Sequence, residues 1–287
     1  MSSTVLLTII SLSALGLVAA LILYLVAQKF KVFEDPRIDL VEEVLPGANC
    51  GGCGFPGCRN FAEALVKAET FDGLNCPVGG SDTMTSAAEI LGKEAVEVVP
   101  RVAVIRCNGT PEFRPRTSSY DGATGCTIAN NLYGGETDCT FGCLGLGECV
   151  DACDFEAMYM DKETGLPVVI DDNCVACGAC VKACPRDIIE LRKKMKKDRK
   201  IYVSCVNQDK GGPARKACKV ACISCSKCFN VCEYEAIIIA NNLAFIDSDK
   251  CKFCRKCEPE CPTKSIHELN FPPRKPKVEK ETEKVEA

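Results

Sequence analysis

The chain has 287 residues, a formal net charge of −4, 24 cysteines, one histidine and no tryptophan. A charge this near neutrality excludes the strong positive field of a nucleic-acid binder, and six tyrosines without tryptophan give no stacking platform for bases. Cysteine in this quantity, set among Gly and Pro, means that a disulfide framework, structural zinc or iron-sulfur clusters replace part of an ordinary apolar core.

The first element is an uncharged run from Val5 to Ala27, long enough to cross a membrane as a helix. No positive segment precedes it, as a signal peptide requires, so it reads as an uncleaved anchor. Lys29 and Lys31 follow the span; by the positive-inside rule the N-terminus faces out and every cysteine lies on the cytoplasmic side, where reducing conditions oppose disulfides. Asp35-Pro36 then predicts a helix start, with IDLVEEVL ended by Pro46-Gly47. The glycine-rich loop NCGGCGFPGC carries Cys50, Cys53 and Cys58; a helix from Arg59 to Lys67 separates it from Cys76-Pro77, and a second helix, TSAAEILG, follows.

Beyond the Val-rich stretch VEVVPRVAVIRC the chain repeats itself. One unit runs Cys107, Cys139, Cys143, Cys149, Cys153, then Cys174, Cys177, Cys180, Cys184-Pro; the other runs Cys205, Cys218, Cys222, Cys225, Cys228, Cys232, then Cys251, Cys254, Cys257, Cys261-Pro. Cys107 aligns with Cys205 and Cys139 with Cys218, and the spacing from Cys143 to Cys153 equals that from Cys222 to Cys232.

Spacing selects the chemistry. Zinc prefers paired ligands, often with His, and His267 is the only histidine. Runs of Cys-x2-Cys-x2-Cys-x3-Cys-Pro suit [4Fe-4S] clusters in which three cysteines hold one cube and the fourth holds its neighbour. That crossed pattern places Cys222, Cys225, Cys228 and Cys261 on one cluster and Cys251, Cys254, Cys257 and Cys232 on its partner. In the first unit Cys174, Cys177, Cys180 and Cys153 form the regular site. Its companion has Leu146 where the second unit has Cys225, and Cys139 is expected to fill the vacancy beside Cys143, Cys149 and Cys184. Cys50, Cys53, Cys58 and Cys76 make a fifth set. Cys107, Cys126, Cys205 and Cys218 remain: four is the number a sixth cluster needs, and buried free thiols inherited through duplication are the alternative. Cys218 can also exchange with Cys225.

An anchor, then Cys-x2-Cys-x4-Cys-x17-Cys-Pro, then tandem ferredoxin-like units, resembles the B subunit of the Rnf complex, the ion-translocating ferredoxin:NAD oxidoreductase, in the long form with two modules found in anaerobes such as clostridia and thermotogae. The resemblance covers nearly the whole chain apart from its tail. It implies an electron-transfer subunit that accepts electrons from soluble ferredoxin and passes them to the membrane and peripheral subunits that carry the flavins, the NAD site and the Na+ or H+ path. No dinucleotide fingerprint or acid-base constellation is legible, so no complete catalytic site is expected on this chain alone. Two other readings stand beside this one: the iron-sulfur subunit of a membrane redox complex without ion pumping, and an all-Cys zinc protein.

The expected fold class is α+β: a single transmembrane helix (1–31), a small mostly helical four-Cys domain (32–95), two bacterial ferredoxin-like modules (96–197 and 198–270) and a disordered tail (271–287). The basic run LRKKMKKDRK, Leu191 to Lys200, is either a solvated linker or a docking patch for an acidic ferredoxin.

Overall fold

A computed structural model of the chain describes residues 3–29, 34–95, 97 and 99–274. The expected disordered tail falls, from residue 275 onwards, outside the described residues, as does Lys31. Helix α1 (Ser3–Lys29) holds a stretch, Leu6–Val26, long and apolar enough to cross a membrane, and its leucines and isoleucines are exposed on every side. All-round apolarity of this kind suits a lipid surrounding rather than one packed face.

Three short helices build the next unit: α2 (Arg37–Val44), α3 (Cys58–Lys67) and α4 (Gly80–Leu91). They bury Ile38, Val41, Phe61, Leu65, Phe71 and Met84 in a core that also takes in Cys76. Asp35 accepts the Arg37 N–H at 2.9 Å, and its contacts with Arg37 hold its carboxyl down at about 2. Arg59 bridges α3 to α2 through Asp39 (3.0 Å) and Glu42 (2.7 Å). Helix α4 starts earlier than the apolar spacing of TSAAEILG suggests, because the chain leaving Cys76 turns straight into it, Gly80 donating to the Cys76 carbonyl at 2.9 Å. Gly92, at φ 64°, ends it in the left-handed conformation that favours glycine.

The two repeats share a plan. In the first, β1 (Arg101–Ile105) opens the unit; α5 (Cys126–Leu132), α6 (Glu148–Asp151), the hairpin of β2 (Met158–Met160) and β3 (Pro167–Val169), and α7 (Ala179–Ala183) follow; β4 (Ile189–Lys193) returns antiparallel to β1. In the second, β5 (Lys200–Val203) precedes α8 (Gly211–Ala217), α9 (Lys227–Asn230) and the hairpin of β6 (Ile237–Ala240) and β7 (Leu243–Ile246), and β8 (Ile266–Leu269) closes back on β5. Each closing pair ties the ends of its unit together. The cores are thin and partly made of sulfur: Ala103, Met158 and Ile189 pack with Cys149 and Cys180 in the first unit, and Ile201, Val203, Ile237 and Ile246 with Cys222, Cys228 and Cys257 in the second.

The basic run is consumed in joining the repeats. Arg192 is buried against Tyr202 and Phe245, and Lys200 is buried against Asp171. Lys194 reaches the Asp171 carbonyl (3.2 Å) and Asp198 (3.4 Å), and among the described side chains of the run Lys193 and Lys197 are exposed. A docking patch built on the whole run is therefore ruled out at Arg192 and Lys200, which the strands β4 and β5 turn inward.

Candidate metal centres

Every cysteine is a free thiol. The loops that carry them have a common backbone signature: two left-handed residues flank the middle cysteine, at Ala176 and Gly178, at Ser224 and Ser226, and at Phe253 and Arg255. Alternating left- and right-handed residues form concave rows of N–H groups that favour anions. Several such groups do point at sulfur: Ala103 N–H donates to Cys174 Sγ (3.5 Å), Ser265 N–H to Cys261 Sγ (3.2 Å) and Gly79 N–H to Cys76 Sγ (3.4 Å).

The thiols gather in fours. Cys153, Cys174, Cys177 and Cys180 line one cavity, and Cys232, Cys251, Cys254 and Cys257 line another. Cys228 lies among Cys222, Cys225 and Cys261. In the helical unit Cys76 lies beside Cys53 and Cys58, while Cys50 reaches towards Cys177 of the first repeat.

At two positions the structure departs from the spacing. Cys126, not Cys139, lines the cavity with Cys143, Cys149 and Cys184. Cys139 joins Cys107, Cys205 and Cys218 in a separate cavity where the repeats meet. The reason lies in the loops. Glu148, at the head of α6, accepts from both the N–H (3.0 Å) and the hydroxyl (2.8 Å) of Thr127, which draws the start of α5 over Cys149. The Cys139 loop is held elsewhere: Arg186 donates to the carbonyls of Cys139 (3.4 Å), Gly142 (2.6 Å) and Gly134, and the Asn207 side-chain amide of the second repeat donates to Cys139 Sγ at 3.5 Å. The repeat alignment contained this signal. Cys139 aligns with the spare Cys218, whereas Cys126 has no equivalent and belongs to the unit that lacks a Cys225 equivalent.

Burial pushes the thiols of Cys143, Cys149, Cys205 and Cys257 up to about 12, and those of Cys180 and Cys228 up to about 11. Such groups stay protonated at neutral pH until a metal displaces the proton. A single zinc ion would draw its sulfurs to about 2.3 Å. Among the described residues no group of three or more His, Cys, Asp or Glu converges tightly enough to hold one ion. Fours of thiols around shared cavities, with N–H groups aimed at sulfur, fit a larger inorganic core and match the demands of [4Fe-4S] clusters.

Comparison with known proteins agrees. Residues 45–78 match the family model "Putative Fe-S cluster", residues 138–188 the "4Fe-4S dicluster domain" and residues 244–267 the "4Fe-4S binding domain". The chain is 41% identical over 89% of its length to the B subunit of the Na(+)-translocating ferredoxin:NAD(+) oxidoreductase complex of Acetobacterium woodii, covering 75% of that protein. It is 39% identical to the B subunit of the ion-translocating oxidoreductase complex of Methanosarcina acetivorans, over 93% of this chain and 99% of the relative. The B subunit of the proton-translocating ferredoxin:NAD(+) oxidoreductase complex of Clostridium ljungdahlii is 40% identical, over 92% of each chain. Likeness of this extent, on cysteines gathered in fours, identifies the chain as a member of the family of B subunits of the ion-translocating oxidoreductase, or Rnf, complexes.

Proposed function

We propose that this chain takes electrons from reduced soluble ferredoxin and passes them to the other subunits of a membrane ferredoxin:NAD oxidoreductase coupled to Na+ or H+ translocation. The cofactors it binds, [4Fe-4S] clusters, supply one-electron redox chemistry. Its own residues supply the ligands, the spacing and the exclusion of water.

The cavities and neighbours described support four ligand sets, Cys153, Cys174, Cys177 and Cys180; Cys126, Cys143, Cys149 and Cys184; Cys222, Cys225, Cys228 and Cys261; and Cys232, Cys251, Cys254 and Cys257, and a fifth in which Cys50 joins Cys53, Cys58 and Cys76 on the strength of its spacing in the sequence. The observation that carries the reading is that neighbouring sets lie close enough for their thiols to act on one another electrostatically. Cys50 lies by Cys177, Cys180 by Cys149, and Cys228 by Cys257. A protein built to move electrons needs such adjacency; a structural metal protein does not. N–H groups aimed at sulfur, as at Cys174 and Cys261, raise the potential of what those thiolates hold.

Helix α1 anchors the chain, with its N-terminus outside and the cysteine-bearing units on the cytoplasmic side, since Lys29 ends the apolar stretch. The helical unit is nearest the anchor in the chain, so ferredoxin delivers to the repeats and the Cys50–Cys76 set hands electrons on at the membrane. In the assembled complex, Cys53→Ala should leave the clusters of the repeats reducible by ferredoxin, read by electron spin resonance, while ferredoxin-dependent NAD+ reduction falls to background. Undiminished NAD+ reduction in that variant would sink the proposed order.

A further inference from the structure

The five sets leave one step unaccounted for: nothing among them links the first repeat to the second. We propose that Cys107 and Cys139 of the first repeat, with Cys205 and Cys218 of the second, hold a further [4Fe-4S] cluster buried in the seam between the two. The proposal rests on the iron-sulfur reading of the other sets and goes beyond it, since the three matched family segments contain no more than one of these four residues.

Four observations carry it. The four thiols line one cavity. They come as two pairs at equivalent places, Cys107 just beyond β1 and Cys205 just beyond β5, Cys139 aligned with Cys218. Polar groups already face the sulfurs: Cys143 N–H donates to Cys107 Sγ (3.5 Å), Asn207 N–H to Cys205 Sγ (3.4 Å) and the fully buried Asn207 amide to Cys139 Sγ (3.5 Å). Finally, Arg114, 9% exposed, lines the same cavity with its Nε buried and without a hydrogen-bond partner. Its Nη2 donates to the Cys143 carbonyl at 2.6 Å, but a buried Nε–H left without an acceptor is costly. A cube held by thiolates presents sulfide acceptors and negative charge, which suit an arginine at the wall of the cavity.

The site stands between neighbours. Cys107 is beside Cys143 of one set, and Cys205 takes a backbone N–H from Cys222 of another. Arg106 spans the seam, donating to the carbonyls of Val203 (3.4 Å) and Cys205 (3.3 Å) while paired with Glu190 (3.1 Å). A one-electron carrier here passes an electron from the second repeat to the first. One neighbour is oxidised as the other is reduced, no bond forms or breaks, no proton moves, and ferredoxin is the reductant.

With this site, all 24 cysteines fall into sets of four. The full-length chain, purified without oxygen, should contain about 24 iron and about 24 acid-labile sulfide. Cys218→Ser and Cys139→Ser should each lower both to about 20 and remove the same component of the spin-resonance spectrum, a component that Cys126→Ser leaves intact. A wild-type count near 20 that Cys218→Ser does not change would overturn the proposal while leaving the five sets standing. So would loss of one and the same component in Cys139→Ser and Cys126→Ser. Protein free of sulfide would overturn the iron-sulfur reading itself. Asn207→Leu keeps all four thiolates and guards against variants that fail to fold. It should lower the midpoint potential of that one component, and unchanged potentials throughout would refute the assignment.

Discussion

The loop from Cys143 to Cys149 shows how much of a cluster site a single residue can carry. Gly145 (φ 75°) and Gly147 (φ 84°) occupy the left-handed positions that Ser224 and Ser226 hold in the second repeat, so the backbone keeps the ligand-loop conformation although Leu146 stands where Cys225 would be. Cys126 then supplies the missing thiolate from another segment. Cys126→Ser should cost about four iron per chain, and adding Leu146→Cys should restore them, because the loop is already shaped to present sulfur there. Iron content unaffected by Cys126→Ser would show that Cys126 is not a ligand, and a double variant that stays depleted would show that the loop does not present sulfur at position 146. The regular sets were legible in the sequence because three ligands lie within one short loop and the fourth follows at fixed spacing. The exchange of Cys126 for Cys139 left only a trace in the repeat alignment, since the contacts that decide it join residues far apart in the chain: Thr127 with Glu148, and Cys139 with Asn207.

Among the elements, the start of α2 was readable from Asp35-Pro36, and α3 and the later part of α4 from their residue pattern, whereas the strand pairs β1–β4 and β5–β8 join segments too far apart in the chain to be read from it. What spacing could not reveal is how the helical unit meets the first repeat. A Cβ at Gly52 would come within 2.9 Å of the Cys177 backbone and of Pro77 Cγ. Two ligand loops therefore approach with backbone against backbone, which only glycine permits. Gly52→Ala should force them apart at a cost of about 1–3 kcal/mol, an overpacking penalty. The expected signature is retention of both clusters with slower electron exchange between them, measured by rapid-freeze spin resonance; an unchanged rate would mean that the contact does not set the distance. The basic run illustrates the opposite failure. Its charges look solvated in sequence, but strand alternation in β4 turns Arg192 inward onto Tyr202 and Phe245.

For the whole molecule, sulfur and apolar side chains share one interior. Cys205, Cys218, Cys222, Cys228 and Cys257 belong to the same buried cluster as Ile201, Val203, Ile237 and Ile246. Burial pushes the thiols of Cys205, Cys218, Cys228 and Cys257 up, so that a bound metal is what holds them as thiolates and folding is coupled to cluster assembly. Stripping iron with a chelator in air should abolish the cooperative thermal transition of both repeats, followed by near-ultraviolet circular dichroism. An iron-free chain that melted as sharply as the loaded one would refute this coupling.

The equivalent pairs at the seam, Cys107 with Cys205 and Cys139 with Cys218, have a consequence for ancestry. One repeat alone owns half of that cavity, and two copies meeting about a twofold axis would complete it, each giving the other what it takes. The tandem chain is in this sense a homodimer whose halves have been spliced end to end. Within one chain the two halves need not be identical, and they are not: one carries Cys225, while the other has Leu146 at the equivalent place and an unmatched Cys126.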